Sequence, residues 1–107
     1  MENRRKVLVP LFSTKTFQER MNRLVNSSES HDIRTEIHKI KHQTLVISSL
    51  YDCLTPLCEQ EFIVKELKNA HHVILPNCGH ASMYEDPLVF VTLVLGFANA
   101  IDTEYII

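Results

Sequence analysis

Residues 44–49 read Thr-Leu-Val-Ile-Ser-Ser, and this β-rich run decides how the rest of the sequence is interpreted. Three consecutive apolar side chains within it are typical of a strand buried on both faces, as in a parallel sheet. Residues 72–75, His-Val-Ile-Leu, form a second run of this kind after a stretch with helical character. A strand, a helix and a strand in this order make one βαβ unit with parallel strands. The sequence therefore predicts an α/β fold.

Two proline positions mark the helices that follow these strands. Thr55 has the character of an N-cap with Pro56 at the first helical position, where a missing N–H costs nothing. Asp86 and Pro87 repeat this arrangement at the start of the last helix. Residues 88–98 hold nine apolar side chains in eleven, so this helix is apolar nearly all round and should be buried on more than one side.

The segment before the first strand predicts two further helices. Thr16 and Glu19 have the spacing of a capping box, and the helix that they begin should end at residues 26–28, Asn-Ser-Ser. A second helix should begin near Ser30 and carry isoleucines at helical spacing up to residue 40. Nearer the terminus, residues 7–9 are compatible with a short strand or with a clamp onto another polypeptide.

These elements fall short of a complete sheet. Two parallel strands and a few helices leave a strand edge and the outer side of the last helix uncovered. The chain is therefore interpreted as the C-terminal end of a doubly wound α/β sheet, with two parallel strands and about four helices. The missing cover would come from another polypeptide or from a second copy of this chain.

Length and composition exclude several classes of protein. The 107 residues, with 45% apolar and 22% charged side chains, are enough for one small folded domain. A net charge of −2 gives no electrostatic basis for binding nucleic acid. The longest uncharged stretch, residues 87–101, is shorter than the ~20 residues that a membrane span needs. Three cysteines without framework spacing argue against a secreted disulfide scaffold, so we expect a cytoplasmic protein.

Asp52 and His80 are the candidate catalytic residues. Asp52 follows the first predicted strand, and His80 follows the second through the turn at residues 76–79, Pro-Asn-Cys-Gly. Because the carboxyl ends of parallel strands lie at one edge of a sheet, these side chains should meet there. An acid and a histidine are the last two members of a Ser…Asp…His triad. The nucleophile is missing, because neither Gly79 nor Gly96 belongs to a Gly-x-Ser-x-Gly turn.

Taken in order, these segments resemble the C-terminal part of an α/β-hydrolase, from Glu29 to about Ile101. Residues 52–56, Asp-Cys-Leu-Thr-Pro, are similar to the turn that holds the triad acid of that family. Residues 79–87, with Gly-His followed by Glu-Asp-Pro, are similar to the run from the triad histidine into the last helix. The separation of 28 positions between acid and histidine adds to the resemblance. Ser49 departs from it, since the family often has glycine there.

The resemblance implies a role for each site residue. His80 would act as general base and general acid, and Asp52 would hold the imidazole tautomer and stabilise the imidazolium. Gly79 would allow the sharp turn that aims His80. The resemblance also divides the chain into residues 1–28, an N-terminal extension or lid-derived helix, and residues 29–107, the hydrolase segment. It implies no cofactor and no metal.

Two functions from different classes follow. The first is a C-terminal fragment of a serine hydrolase of the carboxylesterase, lipase or peptidase type, which hydrolyses a small ester or amide through an acyl-enzyme. It would be inactive alone and would need the N-terminal half of a hydrolase for its nucleophile. The second is a non-catalytic remnant of the fold that self-associates, as a dimer or larger homo-oligomer, or binds a partner.

Other chemistry is less well supported by the spacing of the residues. A zinc site typically uses paired Cys-x2-Cys ligands, whereas the spacings here are Cys-x4-Cys and Cys-x-His. Cys78 beside His80 offers a thiol nucleophile, although no activating environment is visible in the sequence. Three serines lie near the acid or the histidine, and none is on a suitable turn. The serines are Ser48, Ser49 and Ser82, and the zinc candidates are Cys53, Cys58, Cys78, His71, His72 and His80.

Overall fold

The computed structural model describes Pro10 and residues 12–102, so the predicted strand or clamp at residues 7–9 lies outside the described residues. The chain divides into two compact units, with the boundary between Ile33 and Arg34. Among the described helices, none has the length and apolar character that a membrane crossing requires.

Helix α1 (Lys15–Glu29) makes up most of the described part of the first unit. Its N-cap is Thr14, whose hydroxyl accepts a hydrogen bond from the Phe17 amide at 3.2 Å. A capping side chain lies just outside the helix and reaches the amide two or three positions ahead, whereas Thr16 already lies in the first turn. The prediction of Thr16 as the cap is therefore wrong by two residues.

Helix α1 also continues through residues 26–28, where the sequence predicts its end. The hydroxyls of Ser27 and Ser28 donate to the carbonyls of Leu24 and Val25, at 2.8 and 2.7 Å. Serines that bond back to the preceding turn are accommodated within a helix and do not have to end it. The predicted break is wrong for this reason.

The second unit begins with a short 3-10 helix, Ile37–Lys39, in place of the helix predicted from Ser30. The Ile40 amide closes this turn by donating to the Ile37 carbonyl at 3.0 Å. Ile37 is buried, whereas Ile33 and Ile40 are exposed. The isoleucines therefore form no continuous buried face, and a short helix without such a face is only marginally stable. The prediction of a second long helix is wrong.

The sheet contains two parallel strands among the described residues, β1 (Thr44–Ser49) and β2 (Ala70–Leu75). They pair in register from the first residue of each strand to the last. Helix α2 (Leu57–Glu66) connects them and contacts both. The predicted α/β fold, with a βαβ unit of parallel strands, is confirmed.

Burial of β1 is less than its apolar run predicts. Residues 44–47 are half-buried, and only Ser48 and Ser49 are buried. Within the described residues β1 pairs with β2 alone, so its other edge has no partner strand there. Few neighbours therefore cover the two faces of β1. The buried apolar side chains of this unit are Ile37, Leu67, Leu75 and Cys78.

Helices α3 (Ser82–Glu85) and α4 (Pro87–Asp102) follow β2. The predicted cap of α4 is confirmed, because an Asp86 carboxylate oxygen accepts from the amide of Val89 at 3.3 Å. No residue of α4 is buried, and the Leu88 side chain is 77% exposed. The outer side of α4 is thus uncovered, as expected. The apolar composition of α4 also predicts burial on several sides, and this burial is not observed.

Candidate active site

Backbone hydrogen bonds continue the pairing of the strands into the loops that follow them. The Leu50 amide donates to the Leu75 carbonyl, and the Tyr51 amide donates to the Cys78 carbonyl, each at 3.0 Å. The loop after β1 is therefore held beside the loop after β2. These loops carry the candidate acid and the candidate histidine.

Asp52 and His80 meet at this edge of the sheet. His80 Nδ1 lies 3.1 Å from Asp52 Oδ1 and 3.0 Å from Asp52 Oδ2. A carboxylate can only accept, so Nδ1 carries the proton and donates it, and Nε2 is left to exchange a proton with another group. The side chain of Asp52 is 6% exposed and that of His80 is 52% exposed. A shielded carboxylate therefore orients an imidazole that solvent can reach.

Three further hydrogen bonds fix the carboxylate of Asp52. Its Oδ1 accepts from the amides of Leu54 and Thr55, both at 2.9 Å, and its Oδ2 accepts from the Thr55 hydroxyl at 2.7 Å. The Thr55 amide does most to hold the pKa of Asp52 well below its usual range, and the Thr55 hydroxyl, His80 and the Leu54 amide add to it while burial opposes the shift. Asp52 is therefore ionised at neutral pH.

Thr55 has a different role from the helix cap that the sequence predicts. Helix α2 begins at Leu57, with Pro56 as its N-cap and no side-chain cap bond. The Thr55 hydroxyl instead bonds to the carboxylate of Asp52, which is a charged and stronger acceptor. The spacing Asp-x-x-Thr was the available signal for this turn, since short acidic side chains often bond to the amides two and three positions ahead.

Gly79 is held by a residue to which the sequence assigns no role. Its amide donates to both carboxylate oxygens of Glu85, at 3.1 Å to Oε1 and 3.0 Å to Oε2. The backbone of Gly79 lies outside the left-handed region, and a Cβ there would lie 3.4 Å from Glu85 Oε1 and 3.6 Å from the Tyr51 carbonyl oxygen. The expected sharp turn is therefore formed without a conformation that favours glycine.

Cys78 lacks the environment of a thiol nucleophile. The residue is buried, and burial raises the pKa of its thiol, as do the carboxylates of Glu85 and Asp86. A nucleophilic cysteine needs the opposite shift, toward thiolate.

The cysteines and histidines considered for zinc do not form a metal site within residues 12–102. In that part of the chain no three of the possible ligands are grouped so that they could hold a metal ion.

The three serines considered as nucleophiles are all buried. Ser48 is completely shielded from solvent, and its hydroxyl pairs with His72 Nε2 at 2.7 Å. Ser49 and Ser82 are 4% and 6% exposed. A nucleophile must reach the substrate, so burial argues against all three hydroxyls, including the Ser48 hydroxyl that pairs with His72.

The βαβ unit and the paired Asp and His are features of an α/β-hydrolase. In agreement, the family model described as TAP-like protein, an α/β-hydrolase family, matches residues 9–88. The chain belongs to the α/β-hydrolase superfamily. One solved structure is similar over nearly all of the sequence: the chain is 55% identical to MGS-M2, an α/β hydrolase enzyme from a Medee basin deep-sea metagenome library, with a TM-score of 0.87 over 92% of this chain and 36% of that one.

Curated relatives show the same partial coverage. A putative carbamate hydrolase, RutD, of Pseudomonas savastanoi pv. phaseolicola is 33% identical over 78 residues, which are 73% of this chain and 30% of the relative. A proline iminopeptidase of Flavobacterium johnsoniae is 33% identical over 73 residues, which are 68% of this chain and 24% of the relative. The chain therefore spans less than a third of these relatives.

Proposed function

We propose that this chain supplies the acid and the general base of a serine hydrolase, with Asp52 and His80 in these roles. The observation that carries the proposal is the 3.0 Å contact between a shielded carboxylate and Nδ1 of a half-exposed imidazole. A structural ion pair on a surface would leave both groups solvated, whereas a catalytic pair shields the acid and exposes the base.

The proposed reaction uses Nε2 of His80. This nitrogen takes the proton of a serine hydroxyl as the serine oxygen attacks the carbonyl carbon of an ester or amide. It then returns the proton to the leaving alcohol or amine as the bond to the carbonyl carbon breaks. Water, activated by the same nitrogen, releases the acyl group from the serine. Asp52 stays ionised throughout and stabilises the imidazolium.

The nucleophilic serine is proposed to come from a hydrolase segment outside this sequence. The serines nearest the pair are buried, and the part of MGS-M2 matched by this chain is 36% of that protein. The relatives named as a carbamate hydrolase and a proline iminopeptidase support a carbonyl substrate with a nitrogen or oxygen leaving group. The chain alone is proposed to be inactive as a carboxylesterase, lipase or peptidase.

A chimaera tests this function. We would replace the matching region of MGS-M2 with this chain and measure labelling by a fluorophosphonate probe and hydrolysis of a p-nitrophenyl ester. We expect labelling and turnover, loss of both in His80→Ala, and no change in His38→Ala, which alters an exposed histidine elsewhere in the same unit. A folded chimaera that remains unlabelled, or one whose His80→Ala variant keeps full activity, would contradict the proposal.

A second candidate function is self-association without catalysis. The outer side of α4 supports it, because Leu88, Val91 and Leu95 recur at helical spacing and are 77%, 50% and 63% exposed. Apolar patches of this kind often mark protein interfaces. On this alternative the chain is a homo-oligomeric remnant of the hydrolase fold.

We also infer a cytoplasmic location and a lid-derived origin for residues 1–28. The three cysteines are free thiols, with Cys53 and Cys58 exposed, which fits a reducing compartment. No residue of helix α1 is buried, and the helix carries exposed apolar residues such as Leu24, as a lid helix would.

A further inference from the structure

The peptide bond between Cys78 and Gly79 is held at both of its ends. Its carbonyl oxygen accepts from the Tyr51 amide at 3.0 Å, and its N–H donates to both oxygens of the Glu85 carboxylate at 3.0 and 3.1 Å. Tyr51 directly precedes the acid of the candidate pair. This one peptide plane therefore connects the loop of Asp52, the loop of His80 and the short helix α3.

Glu85 closes a short loop around the histidine. Gly79 directly precedes His80, and Glu85 is the last residue of α3, five positions after His80. The hydrogen bond from Gly79 to Glu85 joins these two residues. The backbone of Glu85 is itself fixed, because its amide donates to the Ala81 carbonyl at 3.0 Å. The main chain on both sides of His80 is thereby tied to one carboxylate.

A second restraint on His80 has a physical reason. The contact with Asp52 fixes the imidazole ring, but the backbone enters His80 through glycine, the residue with the most conformational freedom. A hydrogen bond to a carboxylate is about twice as strong as one between neutral groups. Glu85 therefore restricts the backbone conformation at Gly79, the position before His80 where the main chain would otherwise be least restrained.

We propose that Glu85 is a positioning residue, which holds the Cys78–Gly79 peptide and so sets the orientation of His80 toward Asp52. Its importance for catalysis rests on the function proposed above, whereas its effect on the His80 geometry does not. Neither the family match nor the named relatives assign this carboxylate a role.

The proposal is tested by NMR on the 107-residue chain, with no activity readout. We would compare the Gly79 amide resonance and the downfield His80 Nδ1 proton in the wild type, Glu85→Ala and Glu85→Gln. Glu61→Ala, which removes an exposed carboxylate from helix α2, is the matched control. We expect Glu85→Ala to move the Gly79 amide upfield and to broaden or shift the Nδ1 proton, Glu85→Gln to keep part of each signal, and Glu61→Ala to change neither.

Unchanged Gly79 and His80 signals in Glu85→Ala would overturn the proposal, since a merely stabilising role would leave them unaltered in the folded protein. If Glu85→Ala does not fold, Glu85→Gln decides: loss of the charge should move the Gly79 amide part of the way upfield, and an unchanged Gly79 amide in Glu85→Gln overturns the proposal. In the chimaera, Glu85→Ala should lower kcat about tenfold or more with little change in KM. An inactive chimaera with positive NMR results contradicts only the proposed function.

Discussion

Thr55 donates both its backbone N–H and its hydroxyl to the carboxylate of Asp52, at 2.9 and 2.7 Å. These bonds come from the same turn that leads into helix α2, so the helix and the acid are fixed together. The Asp52 carboxylate is shielded from water, and hydrogen-bond donors from Leu54, Thr55 and His80 stabilise its negative charge.

Loss of the Thr55 hydroxyl should weaken the hold on Asp52. We expect Thr55→Val to raise the pKa of Asp52 toward its usual range and to lower the melting temperature, because one of the donors to the charged form is gone. The pKa is measured from the Asp52 side-chain carbon by NMR. Thr92→Val is the control, since the Thr92 hydroxyl bonds to the Leu88 carbonyl on an exposed helix and touches no acid. Equal shifts in both variants would contradict the assigned role.

The low pKa of Asp52 makes stability depend on pH. The folded pKa lies below the ordinary value of 3.8, so the unfolded chain binds the proton first as pH falls. The contribution of Asp52 is fully present above about pH 5, declines as pH drops below this ordinary value, and is lost once pH passes the folded pKa. We expect urea midpoints measured from pH 6 to pH 2.5 to fall less steeply in Asp52→Asn than in the wild type. Parallel curves would contradict the prediction.

Replacing Asp52 should also change the tautomer of His80. An asparagine amide can donate to Nδ1, so Asp52→Asn should move the proton to Nε2 and leave no hydrogen-bonded Nδ1 proton. The ¹⁵N shifts of the imidazole report this directly, and those of His38 should stay constant. In the chimaera the same change should lower kcat by about 10⁴-fold, the loss expected when a triad base has the wrong tautomer. A retained Nδ1 proton signal would rule out the assigned geometry.

Ser48 is expected to matter for stability alone. Ser48→Ala leaves His72 Nε2 without its 2.7 Å partner inside the sheet, at a cost of about 1–3 kcal/mol in the free energy of unfolding. Urea denaturation measures this cost, and Ser27→Ala on exposed helix α1 should change the free energy of unfolding by less than about 0.5 kcal/mol. Once the chimaera is folded, Ser48→Ala should label with the probe as the parent does. Lost labelling in a folded chimaera would contradict the structural role.

We predict that self-association, the second candidate function, uses the outer side of α4. We expect the wild type to be larger than a monomer in light scattering at micromolar concentration, and Leu88→Lys with Leu95→Lys to restore the monomer, since both side chains are mostly exposed and their loss costs the fold little. Lys65→Glu on helix α2 is a charge-changing control that should leave the mass unaltered. A monomeric wild type would contradict the second candidate function.

Local signals predicted the chain well from residue 44 onward. The run at residues 44–49 forms β1, and the Asp86-Pro87 pair begins α4, because strand propensity and capping depend on neighbouring residues. The residues before position 44 were predicted less well. The apolar residues before β1 recur at helical spacing, but few of them are buried. Their spacing alone therefore does not predict a helix that packs against the rest of the unit.

By itself, the sequence determined the order of strand, helix and strand, the α/β class and the two residues that face each other after the strands. These follow from short-range patterns and from the single edge at which parallel strands end. Only the tertiary structure decided that Asp52 is shielded while His80 is half exposed, that Glu85 holds Gly79, and that the nearby serines are buried. Such contacts depend on where loops lie in space and on which hydroxyls water can reach, and neither is encoded in the spacing of residues along the chain.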